Sequence, residues 1–421
     1  MRLPRLLPAE QRLYSRRLDD IPAAVARACR EAGLERRLRV GERVAITVGS
    51  RGIANIAAIT AAVVETVKRL RGRPFIVPAM GTHGGGTAAG QRAVLASLGV
   101  APGVVGAPVR ASMAVARVGQ TSRGVAVYMS REALRADHII LMNRVKQHSD
   151  FSGEYESGLM KMLAVGLGKR EGAAAMHSRQ CAGLREDMPE AARLLLARAP
   201  IAAGLAILEN GYNDTADIVG LPPDEIARRE PALLRRARRS AARLPFRDLD
   251  LLVVDHIGKD VSGVGLDPHV IGRRMMWGEP EFPGGPRIRL LAALDLTPGS
   301  HGNPLGVGLA DLTTDRLVAK IDWAALKTNV LHTGWLNRAK LPLSFPSDRA
   351  LMEAAMIAMG RPDPAAARVV RISDTLHLAR LWISEGLAGE AEERGMRLLG
   401  RPAPMRFDPA GNLRGLGTPP T

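Results

Sequence analysis

Short apolar runs alternate with stretches of helical period through the first part of the chain. Residues 43–50 (RVAITVGS) form an apolar run closed by Gly-Ser and predict a buried strand. Residues 53–70 carry apolar side chains at helical spacing and predict a helix, and 73–81 (RPFIVPAMG) predict the next strand. The loop THGGG then leads into a helix near 87–98, with Thr87 as its N-cap. Residues 138–145 (HIILMNRV) predict a third buried strand. This β–turn–α rhythm implies a parallel sheet with helices on its faces. Ligands on such sheets bind beyond the carboxyl ends of the strands. Those ends carry Arg51, His83 and the Lys146-Gln147-His148 segment, so three cationic or titratable groups face one region.

A second α/β block begins at 248–260 (DLDLLVVDHIGKD) and continues through a strand at 287–296. Helices at 321–332 and 348–360 follow, then strands at 368–374 and 377–384. The expected architecture is two α/β domains, 1–245 and 246–421, with a cofactor and substrate cleft between them. No internal repeat or low-complexity tract interrupts this plan.

The bulk composition narrows the function classes. No apolar run is long enough to span a membrane, and the basic N-terminus lacks the apolar core of a signal peptide, so a cytoplasmic protein is expected. Two cysteines cannot supply a disulfide framework or an iron–sulfur cluster. The net charge of +17 raises the question of nucleic acid. Its basic residues are scattered, only 3% of residues are aromatic and no nucleic-acid motif occurs, so no such partner is expected. The densest basic stretch, 228–243, reads as a solvated helix face near the domain junction.

Arginine dominates the 59 basic residues, and only eight are lysine, three of them at 146, 161 and 169. Lysine, unlike arginine, becomes a nucleophile once deprotonated. Lys161 is followed by a glycine-rich stretch, whose glycines let the chain fold back, and then by His177. A neutral imidazole is a good ligand for nickel, zinc, copper or iron. In Gly81-Thr82-His83-Gly84-Gly85-Gly86, backbone amides beside Thr87 are placed to cradle an anion. Composition alone leaves open that Lys161 snorkels from a helix and that His177 is a surface residue.

Together, Arg51, Gly81-Thr82-His83, the His148 segment, Lys161 and His177 resemble the nickel-pincer-dependent lactate racemase family. The wording at 143–169 (NRVKQHSDFSGEYESGLMKMLAVGLGK) and 254–273 resembles a divergent racemase- and epimerase-like branch of it. The resemblance implies that Lys161 holds a pyridinium-3-thioamide-5-thiocarboxylic acid mononucleotide carrying nickel, with His177 as the protein's metal ligand. It implies that Gly84, Gly85 and Thr87 contact the cofactor, that His83 and His148 are paired acid/base groups, and that Arg51 orients a substrate carboxylate. Lys259 is the candidate substrate-facing cation of the second block. One departure stands out: the family's aspartate three positions before the arginine is replaced by Val48.

Residue chemistry is consistent with that role. The C2 hydrogen of a 2-hydroxy acid leaves more readily as hydride than as proton, provided a base takes the hydroxyl proton. Inversion calls for a proton acceptor on each face, hence two histidines. The expected partners are a small 2-hydroxy acid and the enzymes that make the cofactor. Two alternatives remain: a zinc hydrolase using His83, His148 and His177, or a non-catalytic binder of a nucleotide-like ligand. A nicotinamide dehydrogenase is disfavoured because VGSRGIAN lacks the glycine spacing of the dinucleotide turn.

Overall fold

A strand that the apolar pattern does not reveal, β1 (Leu6–Glu10), opens the chain. The computed structural model describes residues 1–50, 52–360 and 363–414. The chain divides into two units, Tyr14–Ala241 and Met1–Leu13 together with the chain from Ala242 onward. Residues 1–13, expected in the first domain, belong instead to the second unit. The reason is pairing: β1 runs antiparallel to a late strand, with Leu6 opposite Ser384 and Glu10 opposite Arg380.

In the unit Tyr14–Ala241 the expected strands are β2 (Arg43–Val48), β3 (Arg73–Pro78) and β6 (His138–Arg144). Between them β4 (Val115–Gln120) and β5 (Ala126–Ser130) make a separate hairpin. The five-stranded sheet runs β3-β2-β6-β7-β8, completed by β7 (Ile201–Glu209) and β8 (Thr215–Leu221). It is parallel from β3 to β7, and β8 returns antiparallel. β2 is thus flanked by β3 and β6, which brings the carboxyl ends of all three together. The helix Ile56–Arg69 packs Ile59, Val63 and Val67 into the core with Val44, Ile46 and Ile140. Thr87 caps the helix Ala88–Ser97, its hydroxyl oxygen accepting the Gly90 amide proton at 3.0 Å.

The second unit holds an eight-stranded mixed sheet. Its strands are β9 (Asp248–Ile257), β10 (Arg287–Leu296), β11 (Leu312–Thr314), β12 (Leu343–Phe345), β13 (Val369–Ile372), β14 (Arg380–Ser384) and β15 (Arg397–Leu398). Their order is β12-β11-β10-β9-β13-β14-β1-β15. β9 and β10 are continuous apolar runs because helices and loops cover both faces, which is typical of parallel strands. Mixed α/β architecture is therefore present throughout the described residues. None of the described helices is long and apolar enough to cross a membrane.

Two local readings are corrected. The stretch between Lys161 and His177 is not loose glycine loop but helix on either side of a turn at Leu167-Gly168, where Lys169 takes a φ of 55°. It is a short helix, Leu159–Lys161, a π-helical turn, Met162–Gly166, and a helix, Lys169–His177. Gly166 instead permits close approach, since a Cβ there would lie 2.7 Å from the Ala79 carbonyl oxygen. The basic stretch lies in the helix Pro223–Ser240, which is not merely a solvated face: Ile226, Glu230, Leu233 and Leu234 are buried.

Candidate active site

The carboxyl ends of β2, β3 and β6 are closed over by the segment that carries Lys161 and His177. The amide of Gly81, just past β3, donates to Gly166 O at 3.1 Å. Gly49, just past β2, sits where a Cβ would meet Met162 at 3.5 Å and Asn143 at 3.7 Å. Lys169, wholly buried, donates from Nζ to Pro78 O at 2.5 Å and to Gln91 Oε1 at 2.9 Å. Gln91 in turn donates to Gly81 O at 2.9 Å, so one lysine–glutamine pair secures the loop that presents His83. Burial lowers the Lys169 amine to about 8.

His148 and Lys161 are brought into direct contact, the imidazole Nε2 facing the amine Nζ. The other ring nitrogen is already committed: Nδ1 accepts the Asp150 amide proton at 3.0 Å. With Nδ1 acting as acceptor, a neutral ring carries its proton on Nε2 and donates it to Lys161. Such a donor needs a lone pair on Nζ, so the contact is satisfied when Lys161 is a free amine. Burial, and after it a positive charge on Lys161, hold the His148 imidazole well below its ordinary value, so the two groups do not carry charge together. The backbone amide of His148 donates to Glu156 Oε2 at 2.6 Å, and Arg238 binds Glu156 Oε1 at 2.5 Å. Phe151 packs on the ring, with centroids 4.7 Å apart.

His177 ends the helix Lys169–His177 and donates from Nδ1 to Ala173 O, one turn back, at 2.7 Å. That bond fixes the tautomer and leaves the Nε2 lone pair open for a metal. Burial also lowers the His177 imidazole, favouring the neutral form that ligates. Lys161 lowers it further, and both act in turn on His148, so the three groups share one electrostatic neighbourhood. His83 is exposed, and its Nδ1 meets the hydroxyl of Ser50 at the end of β2.

Gly84, Gly85 and Gly86 all have positive φ, of 67°, 64° and 61°. A Cβ on Gly84 would fall 2.5 Å from the Gly90 carbonyl carbon, whereas Gly85 faces open space. The Thr87 hydroxyl serves the helix cap and donates to Gly84 O at 3.3 Å. Lys259 lies in the other unit, where its Nζ donates to Asn329 Oδ1 at 2.6 Å and its amide to Ser300 Oγ at 3.1 Å. Arg51 lies outside the described residues. Val48 is fully buried in β2 opposite Pro78. Among the described residues no three His, Cys, Asp or Glu side chains are grouped to hold a metal, as a three-histidine zinc site requires.

A family model for the lactate racemase N-terminal domain matches residues 6–188. That span is similar to a lactate racemase N-terminal domain. No protein of curated function matches the sequence. Among solved structures the chain is similar to the lactate racemase apoprotein from Thermoanaerobacterium thermosaccharolyticum. The identity is 11% and the TM-score 0.40, and the similarity covers 58% of this chain and 61% of that one. The matched span contains every site residue expected from the sequence except Lys259, and it stops before the helix Pro223–Ser240.

That helix supplies the residues that sequence reasoning missed. Glu230 accepts the amide protons of Leu159 and Met160, at the start of the Lys161 turn, at 2.7 and 3.1 Å. Glu156, Asp150 and Ser50 were also passed over. The one sequence signal for Glu230 is a single acid on the apolar stripe of an arginine-rich helix.

Proposed function

We propose that the chain is a racemase or epimerase of a 2-hydroxy acid, working with a nickel-pincer nucleotide attached to Lys161. The observation that carries this reading is the His148–Lys161 contact, in which the Asp150 amide occupies the second ring nitrogen. It holds the Lys161 amine against a neutral imidazole in a site where an acylating group can be attached.

The donor set suits such a cofactor. Lys161 would hold it and His177 would ligate its nickel through Nε2, while the amides near Gly84 and Gly85, beside Thr87, would face its phosphate. When bound, the group supplies an electrophilic ring carbon that accepts and returns the C2 hydrogen of substrate.

The remaining work falls to the chain's own residues. Once Lys161 is acylated, its amine no longer competes with His148 for the substrate's hydroxyl proton. His148 would take that proton at Nε2 once the ring moves its own proton to Nδ1 and releases the Asp150 amide. His83, oriented by Ser50, would serve the opposite enantiomer. Arg51 would clamp the carboxylate, and Lys259 would be a second cation for the substrate. The zinc-hydrolase alternative gives Lys161 no task and lacks three grouped ligands among the described residues.

Co-expression with cofactor-making enzymes, followed by intact mass and metal analysis, tests this reading. One adduct at Lys161 with stoichiometric nickel is expected, and Lys161→Ala abolishes both. An unmodified Lys161 together with bound zinc would refute it. Loaded enzyme offered chiral 2-hydroxy acids in deuterated water is expected to invert them while retaining the C2 hydrogen. Wholesale uptake of deuterium would instead indicate proton abstraction.

A further inference from the structure

The helix Pro223–Ser240 carries a buried acid with no cation beside it among the described residues. Glu230 is 1% exposed, and its Oε1 has no hydrogen-bond partner among the described residues. Its Oε2 takes two successive amide protons, those of Leu159 and Met160. These amides open the turn Leu159–Lys161 and have no helical acceptor of their own. The fit is close on the other side as well. A Cβ at Gly158 would lie 2.2 Å from Glu230 Oε1, so glycine is needed for the carboxyl group to enter.

The surroundings hold the acid in register. Pro231 lacks an amide proton, which leaves the carbonyl of Ala227 without its usual helical donor. The Tyr155 hydroxyl donates to that carbonyl at 2.8 Å. Asn143, at the end of β6, donates to Gly158 O at 2.9 Å. Farther along the same helix Arg238 holds Glu156, the acceptor of the His148 amide. One helix therefore braces both members of the Lys161–His148 pair.

We propose that Glu230 is a positioning residue for Lys161: inserted from the arginine-rich helix, its carboxyl group fixes the turn that aims the Lys161 amine at His148. Its purpose rests on the tethering role proposed for Lys161; its geometry does not. The burial of an acid without a cation is unfavourable by itself. The two amides that it caps are the compensation on view.

The test is the rate at which pyridoxal 5′-phosphate and borohydride label Lys161 in the full chain, mapped by peptide mass and normalised to exposed Lys327. Glu230→Gln keeps the reach and an acceptor oxygen, and is expected to label within about twofold of the parent. Glu230→Asp keeps the charge but is one methylene short, and with Glu230→Leu is expected to lose about tenfold, since small misplacements near a reacting atom have large effects. If the Leu variant does not fold, the Gln and Asp variants decide the matter. Parent-like labelling of the Asp variant, or a Gln variant as slow as the Asp one, overturns the proposal. Fast labelling of Lys161 that depends on Glu230, with no adduct after co-expression, would remove the cofactor reading and leave the positioning role standing.

Discussion

The buried amine of Lys169 donates to Gln91 Oε1 at 2.9 Å, and Gln91 spans from there to the carbonyl of Gly81. Lys169→Met would strand the Gln91 and Pro78 oxygens without a donor, and is expected to destabilise the fold by about 2–4 kcal/mol. Urea denaturation measures this. The amine is lowered by burial to about 8. Between that value and the ordinary lysine range, the unfolded chain binds more protons than the folded one, so this group's contribution grows as pH rises. The parent's stability relative to Lys169→Met should therefore increase from pH 8 to pH 10. A decrease would contradict the assignment.

Glu230 has the opposite sign. Burial raises it from 4.5 to about 7, so the folded chain binds the extra proton between those values. Its contribution is fully present below pH 4.5 and is lost as pH rises through 7. Glu230→Gln removes the titration. The parent should be more stable relative to this variant at pH 5 than at pH 8, by chemical denaturation. A difference that does not change with pH would show that the carboxyl group does not titrate in this range.

At pH 7.5 an ordinary lysine is only about 0.1% free base. The contact with His148 is satisfied by an uncharged Lys161, so Lys161 should acylate about tenfold or more faster than exposed Lys327. His148→Ala should erase the excess. Competitive labelling with acetic anhydride, read by peptide mass, checks both statements. Equal rates at Lys161 and Lys327 in the parent would rule out the free amine.

His177 holds its tautomer through the carbonyl of Ala173. In co-expressed protein, His177→Ala is expected to keep the Lys161 adduct and lose at least tenfold in retained nickel, in line with the loss of a metal ligand. Mass spectrometry paired with metal analysis separates the two. Full nickel occupancy in the variant would remove His177 from the ligand set.

Much of the sheet in Tyr14–Ala241 was legible because its signal is local. β2, β3 and β6 are apolar runs bounded by turns, and the positions of His83 and His148 follow from the rule that parallel strands present ligands at their carboxyl ends. Thr87 was legible as a cap for the same reason. The hairpin β4–β5 was not, since its residues are mostly half-buried and carry no strong alternation. Lys161 and His177 stood out through family resemblance, and their spacing did not reveal the π-helical turn between them.

The chain alone determined where apolar runs become strands, which strand ends carry titratable groups and how scarce lysine is. These depend on neighbours within a few residues. Tertiary structure decided what lies far apart in sequence. β1 joins the sheet of the second unit because its free edge pairs with β14, some 370 residues on. Glu230 meets the Lys161 turn across 71 residues, and no periodicity foretells which buried acid will find two unpaired amides. Which nitrogen of His148 meets Lys161 likewise depends on the folded backbone at Asp150, whose amide takes Nδ1.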